Sequence, residues 1–152
     1  MKVTVAAIGK FKNSPEKEIF ASYIKRIPWQ FELKEFEAKK ALSGEQLKSA
    51  EAELLLSAIP KSSKIISLDE RGKNISSLEL AGIVSAWQSE GTSSIAFVIG
   101  GADGLSDNLR QKSDFILSFG KLTWPHMLVR SMLAEQVYRA YSIISGHPYH
   151  RE

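Results

Sequence analysis

A glycine-rich segment, Gly100-Gly101-Ala102-Asp103-Gly104, directly follows a strongly apolar run at 95–99. Adjacent glycines let a backbone approach a ligand closely, and Gly104 can adopt a positive φ. The segment matches neither the G-x-G-x-x-G fingerprint nor a P-loop with its lysine and hydroxyl. Because it contains no Lys or Arg, phosphate binding is disfavoured. Taken alone, it indicates a tight strand-to-helix turn, and a ligand-binding loop is the second interpretation.

A second polar segment runs from Lys121 to His126 and contains Trp124-Pro125. Proline fits the first turn of a helix, so a helix start with Thr123 near its cap explains this segment without any function. Histidine is the side chain that exchanges protons most readily near neutral pH. His126 is therefore a candidate acid or base, although a lone histidine is more often a surface or capping residue.

The C-terminal tail, from Gly146 to Glu152, has the sequence GHPYHRE. It is rich in side chains that stack on bases, donate hydrogen bonds or contact phosphates. His147 and His150 could bind a metal, but no third ligand is evident in the sequence, so we expect no metal site. The tail favours a contact with nucleic acid.

Length and composition predict a single globular domain over residues 1–152. The chain is 43% hydrophobic and 24% charged, and it has no cysteine. Disulfides, zinc–thiolate sites and a cysteine nucleophile are therefore excluded. The formal net charge of +3 is compatible with a nucleic-acid partner, although a solvated surface with a small lysine excess explains it more simply.

The apolar run at the N-terminus is far too short to span a bilayer. It is followed by Gly9-Lys10-Phe11 rather than by a small-residue cleavage site. We interpret it as a first strand and not as a signal peptide. We therefore expect a cytoplasmic protein without a membrane segment.

The hydrophobic pattern alternates between strands and helices along the chain. Strands are predicted at 3–8, 30–37, 64–68, 95–99 and 114–119. Helices are predicted at 14–27, 43–59, 76–90 and 124–145, with a short one from 106. Ser43 with Gln46, and Ser76 with Glu79, have the spacing of capping boxes. This order predicts an α/β fold whose mostly parallel sheet is covered by helices on both faces.

Three loops follow predicted strands at positions where ligands bind in open parallel sheets, beyond the carboxyl ends of the strands. They are the polar loop 68–73, the glycine loop 100–104 and the segment 119–126. We expect these loops to converge on one crevice.

The last predicted helix has an apolar stripe and several polar residues. The stripe recurs about every 3.6 positions and consists of Val129, Leu133, Val137, Ala140 and Ile144. The polar residues are Arg130, Glu135, Gln136 and Arg139. They are expected to form an exposed face with salt bridges, or else to border the crevice or a partner subunit.

Five separated motifs occur in order along the chain. They are LDERGK at 68–73, FVIGGADGL at 97–105, LSFGKLTWPHMLVR at 117–130, EQVYRA at 135–140 and GHPYHRE at 146–152. Together they resemble the RlmH family, SPOUT-class methyltransferases that act on N3 of a pseudouridine in 23S ribosomal RNA. The resemblance extends along the whole chain, although the N-terminal third carries less of the family signature.

The resemblance implies a C-terminal trefoil (α/β) knot, a homodimer, and S-adenosyl-L-methionine as the methyl donor bound in the knotted region. In a homodimer, the apolar stripe of the last helix would be buried by the partner. The implied cofactor contacts are Leu68, Gly100, Leu117, Ser118, Phe119, Gly120, Lys121 and Leu122. The implied substrate is ribosomal RNA of the large subunit, and the modest net charge favours an assembled ribosome over naked RNA.

Methylation at N3 requires removal of the imide proton, so the site needs a proton acceptor. The candidate catalytic residues are His126, Arg139 and His150, and water is a further possible acceptor. The expected RNA contacts are Arg130, Arg139, Tyr149, His150 and Arg151. The tail could act within its own chain or across the dimer. The alternative function is that of a nucleotide- or RNA-binding, ribosome-associated α/β protein without catalysis.

Overall fold

Five short strands form one parallel sheet in the computed structural model, which describes residues 1–151. The strands are β1 (Lys2–Ile8), β2 (Gln30–Phe36), β3 (Lys64–Lys73), β4 (Ser94–Ile99) and β5 (Phe115–Leu117). Their order is β2-β1-β4-β3-β5, and every neighbouring pair is parallel. The predicted α/β fold is confirmed for these residues. Glu152, the last residue of the predicted domain and tail, lies outside them.

Within residues 1–151, four helices connect the strands and a fifth follows β5. They are α1 (Pro15–Arg26), α2 (Gly44–Ala58), α3 (Ser77–Ser89), α4 (Asp107–Gln111) and α5 (His126–Ser145). Ser76 and Glu79 form the predicted capping box. The box predicted at Ser43 is wrong, because Gly44 enters α2 with a φ of 57° and Ser43 makes no side-chain cap. No helix within residues 1–151 is long and apolar enough to cross a membrane.

The helices cover both faces of the sheet, because successive side chains of each central strand point to opposite sides. Val5 and Phe97 belong to the core under α1, α3 and α5. Ala6 and Val98 belong to the opposite core, under α2 and α4. The carboxyl ends of the strands therefore remain as the open edge between the two helical layers.

The third strand continues past its predicted end, and this changes the shape of that edge. Leu68 and Lys73 both pair with Leu117, so residues 69–72 bulge out of the sheet. A Cβ at Gly72 would lie 2.5 Å from the carbonyl oxygen of Ile116, so glycine alone fits there. The predicted polar loop at 69–73 is thus a bulge between two sections of β3 that pair with the same strand.

The fifth strand is shorter than the predicted 114–119. The carboxylate of Asp114 accepts a hydrogen bond from the backbone N–H of Ile65 at 2.8 Å. At the other end, residues 118–119 leave the sheet, and Phe119 begins a wall of the cavity described below.

The apolar stripe of α5 is buried by its own chain. Leu133, Val137 and Ala140 are at most 3% exposed, and the first two belong to the core that α5 shares with α1 and α3. The expectation that a partner subunit buries the stripe is therefore wrong for these three residues, whereas Val129 and Ile144 at its ends are partly exposed.

Arg130 on α5 is completely buried, with an exposure of 0%. Its guanidinium donates hydrogen bonds to the Glu35 carboxylate at 2.7 Å and to the carbonyl oxygens of Ile8 and Gly9 at 2.8 and 2.7 Å. Burial lowers the pKa of Arg130, and the Glu35 charge opposes that shift. The side chain thus joins α5 to the carboxyl ends of β1 and β2. An RNA contact by Arg130 does not fit this placement.

Replacing Arg130 by methionine should destabilise the fold strongly. Arg130→Met keeps much of the aliphatic volume but leaves two carbonyl groups and the Glu35 carboxylate, whose side chain is 24% exposed, without this donor. Breaking a fully buried pair costs about 3–5 kcal/mol of the free energy of unfolding, and the partial exposure of Glu35 places the expected loss at the lower end of that range, which urea unfolding would measure. The exposed Arg151→Met is the control and should change that free energy by no more than about 0.5 kcal/mol. A similarly small change in Arg130→Met would contradict the role given to Arg130.

Candidate active site

Three loops at the carboxyl ends of β3, β4 and β5 enclose a cavity of about 540 Å³. Its lining comes from residues 68–71, 99–105 and 117–129, together with Lys48 from α2. The volume suits a small-molecule ligand. The three loops that we expected to converge therefore do meet around one cavity.

Most of the predicted cofactor residues line this cavity. They are Leu68, Gly100, Leu117, Phe119, Gly120 and Leu122. Ser118 is only 4% exposed and lies behind the wall rather than in it. Lys121 is exposed and is not part of the lining.

Ser118 holds two of the loops together. Its Oγ lies 3.2 Å from the carbonyl oxygen of Glu70 and accepts a hydrogen bond from the backbone N–H of Gly120 at 3.1 Å. Its own N–H donates to the carbonyl of Lys73 at 2.9 Å. The bulge of β3 and the loop after β5 are thus fixed relative to each other, so this wall of the cavity is held by hydrogen bonds within the chain.

Charged side chains from the bulge also line the cavity, although the sequence motifs did not point to a role for them. The carboxylate of Asp69 accepts hydrogen bonds from the backbone N–H and the guanidinium of Arg71, both at 2.9 Å. Burial of Asp69 opposes its ionisation, but the hydrogen bonds and charge of Arg71 outweigh it and lower the pKa of Asp69. The i, i+2 spacing of Asp69 and Arg71 is the one signal that could have indicated this pair.

Glu51 supports the glycine loop from α2. It is 5% exposed, and its Oε1 has no hydrogen-bond partner among residues 1–151. A Cβ at Gly101 would collide with this carboxyl group. Burial, and then the charge of Asp103, raise the pKa of Glu51. Gly101 is therefore needed for close packing against α2, a contact that the sequence does not reveal.

The three candidate catalytic residues lie in two different places. His126 begins α5 and lines the cavity, together with Val129 one turn later. Arg139 and His150 do not line it. With a rise of 1.5 Å per residue, Arg139 lies about 20 Å further along the helix axis than His126. The cavity and the tail are therefore near opposite ends of α5.

The tail is folded back onto α5 as far as Arg151. Gly146 adopts a φ of 75° and turns the chain at the end of the helix. The hydroxyl of Tyr149 donates to the Glu135 carboxylate at 3.0 Å, and its ring lies 4.6 Å from that of Tyr138. Arg151 is exposed. Within residues 1–151, no group of three His, Asp or Glu side chains could hold a metal ion.

Comparison with known proteins identifies the family. The family described as "Predicted SPOUT methyltransferase" matches residues 1–150. The chain belongs to the SPOUT methyltransferase family. It is 50% identical over 151 residues to the ribosomal RNA large subunit methyltransferase H of Paramagnetospirillum magneticum and 48% identical to that of Rhodospirillum centenum, covering 99% of both chains in each case. The resemblance found in the sequence motifs is confirmed.

Solved structures agree on the fold of this SPOUT methyltransferase. A probable methylase family protein from Haemophilus influenzae superposes with a TM-score of 0.60 at 14% identity, over 99% of this chain and 70% of the other. A protein from a study of 2-OH methylation of C/U34 on tRNA superposes with a TM-score of 0.51 at 15% identity, over 95% and 97% of the two chains. At these identities the likeness concerns the fold alone.

Neutralising Glu51 should stabilise the protein near neutral pH. Because the pKa of Glu51 is raised on folding, its contribution to stability is present below its unfolded value and is lost as the pH rises through its folded value. Glu51→Gln avoids that loss. We therefore expect this variant to exceed the wild type in urea-unfolding free energy at pH 7, with the difference shrinking as the pH falls towards 4.5.

Glu53→Gln, at an exposed position of the same helix, is the control and should show no such pH-dependent difference. Equal stabilities of the wild type and Glu51→Gln from pH 4.5 to pH 7 would contradict the burial of an unpartnered carboxyl group at this site.

Proposed function

We propose that this chain transfers the methyl group of S-adenosyl-L-methionine to N3 of a pseudouridine in 23S ribosomal RNA. One observation carries the proposal: the loops LDERGK, GGADG and SFGKLTWPH enclose a single cavity. This occurs in a chain that is 50% identical, over its whole length, to a ribosomal RNA large subunit methyltransferase H.

The cavity fits the proposed donor. Leu68, Leu117 and Leu122 supply apolar surface for a flat, neutral adenine, and Gly100 and Gly120 leave backbone groups accessible for hydrogen bonds to it. The lining contains the three carboxylates of Asp69, Glu70 and Asp103 against the two cations of Lys48 and Arg71, and Arg71 is paired with Asp69. The small excess of negative charge favours a cationic ligand over its neutral product. When bound, the donor supplies a methyl group on a positively charged sulfur.

The C-terminal half, in this proposal, forms the trefoil knot of the SPOUT class. The hydrogen bond from Ser118 to Lys73, together with the pairing of Leu117 with both ends of the β3 bulge, supports it. These contacts hold the segment that leaves β5 against the segment that leaves the first part of β3. A crossing of the chain at this point would make the cavity walls unusually rigid.

His126 is the candidate proton acceptor on the cavity side. It is exposed at the mouth, so water can compete with it for the imide proton of N3. Methyl transfer requires N3 to come within about 3–3.5 Å of the donor carbon. No residue of the tail between Gly146 and Arg151 lines the cavity of its own chain. The cavity therefore accounts for donor binding but not for a complete RNA site.

The RNA site is completed, we propose, by the tail of a second subunit in a homodimer. Along α5, the proposed RNA contact Arg139 lies about 15 Å beyond Val129, the cavity-lining residue nearest to it on that helix. The other proposed contacts, Tyr149, His150 and Arg151, belong to the tail and do not line the cavity. Two copies could bring one tail to the other copy's cavity. An open groove of about 450 Å³ between α1, α3 and α5 supports such a pairing, because the apolar side chains of Ile19, Leu128 and Met132 line it.

The proposed substrate is an assembled ribosome in the cytoplasm. A net charge of +3 per chain provides little attraction for naked RNA. Recognition of a ribosomal surface by its shape would compensate for this weak electrostatic attraction between the protein and RNA.

Mass spectrometry of ribosomal RNA nucleosides tests the reaction directly. Deleting the gene should remove N3-methylpseudouridine from 23S RNA, and restoring the wild-type gene should return it. An unchanged signal in the deletion strain would overturn the proposal. Binding of the protein to ribosomes without methylation would favour the alternative of a non-catalytic ribosome-associated protein.

Mixing two inactive variants tests whether the tail acts across the dimer. Leu122→Lys places a positive charge at the donor cavity, and His150→Ala removes a tail side chain. If the tail acts across subunits, a heterodimer of these variants has one intact site. Random mixing should then restore roughly a quarter of the wild-type methylation of ribosomes, because half of the dimers have one good site of two.

If the tail acts within its own chain, each subunit of the heterodimer has a defect and mixing restores nothing. The control is to mix each variant with itself after the same treatment, which should leave both inactive.

A further inference from the structure

The C-terminal histidine His150 is held at one ring nitrogen by an arginine. Arg139 Nη1 lies 3.1 Å from Nδ1 of His150. A guanidinium has only N–H donors and no acceptor, so Nδ1 must accept this hydrogen bond with its lone pair. A neutral imidazole carries one N–H. The proton of a neutral His150 in this contact therefore sits on Nε2.

Arg139 is itself held in position by other residues, so its guanidinium keeps one orientation towards His150. Its Nε donates to Glu135 Oε1 at 2.9 Å, and its Nη2 also contacts that oxygen. The guanidinium lies 4.8 Å from the centroid of the Tyr149 ring. Hydrogen bonds and charge from Glu135 raise the pKa of Arg139, so it remains a cation. The donor that faces Nδ1 is thus permanently charged and fixed in orientation.

The other ring nitrogen of His150 has nothing to bind within the described part of the chain. Its Nε2 is buried and has no hydrogen-bond partner among residues 1–151. An unpaired buried donor costs about 1–3 kcal/mol. Because Nε2 is buried in the single subunit, an oxygen acceptor of a bound partner reaches it only when the neighbouring groups move, and the new hydrogen bond then removes that cost.

We propose that Arg139 is a positioning residue that fixes His150 as its Nε2–H tautomer. His150 then donates a hydrogen bond to a carbonyl oxygen of the target base, rather than accepting the N3 proton. This inference rests on the proposed function for the identity of the base. It separates two roles, donor and proton acceptor, that the sequence leaves open for His150.

The chemistry of the imide supports a donor at this position. When the N3 proton leaves, negative charge spreads onto the two carbonyl oxygens that flank N3. A fixed N–H donor aimed at such an oxygen stabilises the charge as it develops. The N3 proton goes to another acceptor, His126 or water, and the methyl group then bonds to N3 as its bond to sulfur breaks. His150 keeps its own Nε2 proton throughout.

Nitrogen-15 NMR of the labelled protein reads the tautomer directly, and the chain has only three histidines to assign. At about pH 8.5, where ordinary histidines are neutral, wild-type His150 should show protonated Nε2 and unprotonated Nδ1. His150→Gln identifies its signals. In Arg139→Met, which lacks the donor, a population with protonated Nδ1 should appear. Glu135→Gln, which loosens the arginine, should give the same change in weaker form.

Protonated Nδ1 in the wild type would overturn the proposal, whether or not either variant folds. An unchanged tautomer in a folded Arg139→Met would equally refute the positioning role of Arg139. Neither NMR measurement depends on methylation. If the wild type shows the expected tautomer but does not methylate RNA, the proposed function is wrong and the proposed role of Arg139 still stands.

Measuring the kcat of the dimer on ribosomes tests whether His150 acts as a hydrogen-bond donor or as a base. Glutamine can donate a hydrogen bond but cannot act as a base at neutral pH. His150→Gln should therefore keep kcat within about tenfold of the wild type and leave the shape of its pH profile unchanged. His150→Ala should lose about 10²–10³ in kcat, as expected for removal of one such donor. Equal, near-complete loss in both variants would assign His150 as the base instead.

Discussion

The buried ion pair of Arg130 and Glu35 is the constraint on which the rest of the structure depends. The Arg130 guanidinium also donates hydrogen bonds to the carbonyl oxygens of Ile8 and Gly9, where β1 ends. Three hydrogen bonds thus fix α5 on the carboxyl edge of the sheet. Because His126 begins this helix and the tail packs on its other end, the same anchor sets the position of both regions to which we assign a function. Ser131 and Gln136 join α5 by hydrogen bonds to α1 and α3, whereas Arg130 joins it to the sheet.

Much of the fold was predictable because its signals are local. The apolar run 95–99 forms β4, and Ser76 with Glu79 starts α3, since both depend on residues within one element. The burial of Arg130 was not predictable, because its partner Glu35 is 95 residues away. At its position on α5, an arginine next to an apolar stripe looks like part of an exposed face. The bulge in β3 was missed for the same reason, since it depends on pairing with β5.

The candidate site was partly predictable. The glycine loop and the leucines at 68, 117 and 122 were expected from the motifs, and all of them line one cavity. The packing of Glu51 against Gly101 could not be predicted, because an isolated glutamate in the sequence of α2 gives no sign that its side chain is buried. The separation of the cavity and the tail along α5 could not be predicted either, because it depends on how the tail packs against the helix. This separation is the reason why we propose, rather than observe, that two subunits share one site.

The central claim is that the cavity between the three loops binds the methyl donor, and calorimetry tests it most directly. Titration of the wild type with S-adenosyl-L-methionine should give saturable binding, whereas ATP should give none. Leu122 is 71% exposed at the cavity, so Leu122→Ala should weaken binding without unfolding the protein. Leu78→Ala, at another exposed apolar position outside the lining, should bind like the wild type. Equal affinity in both variants, or tighter binding of ATP than of the methyl donor, would contradict the account.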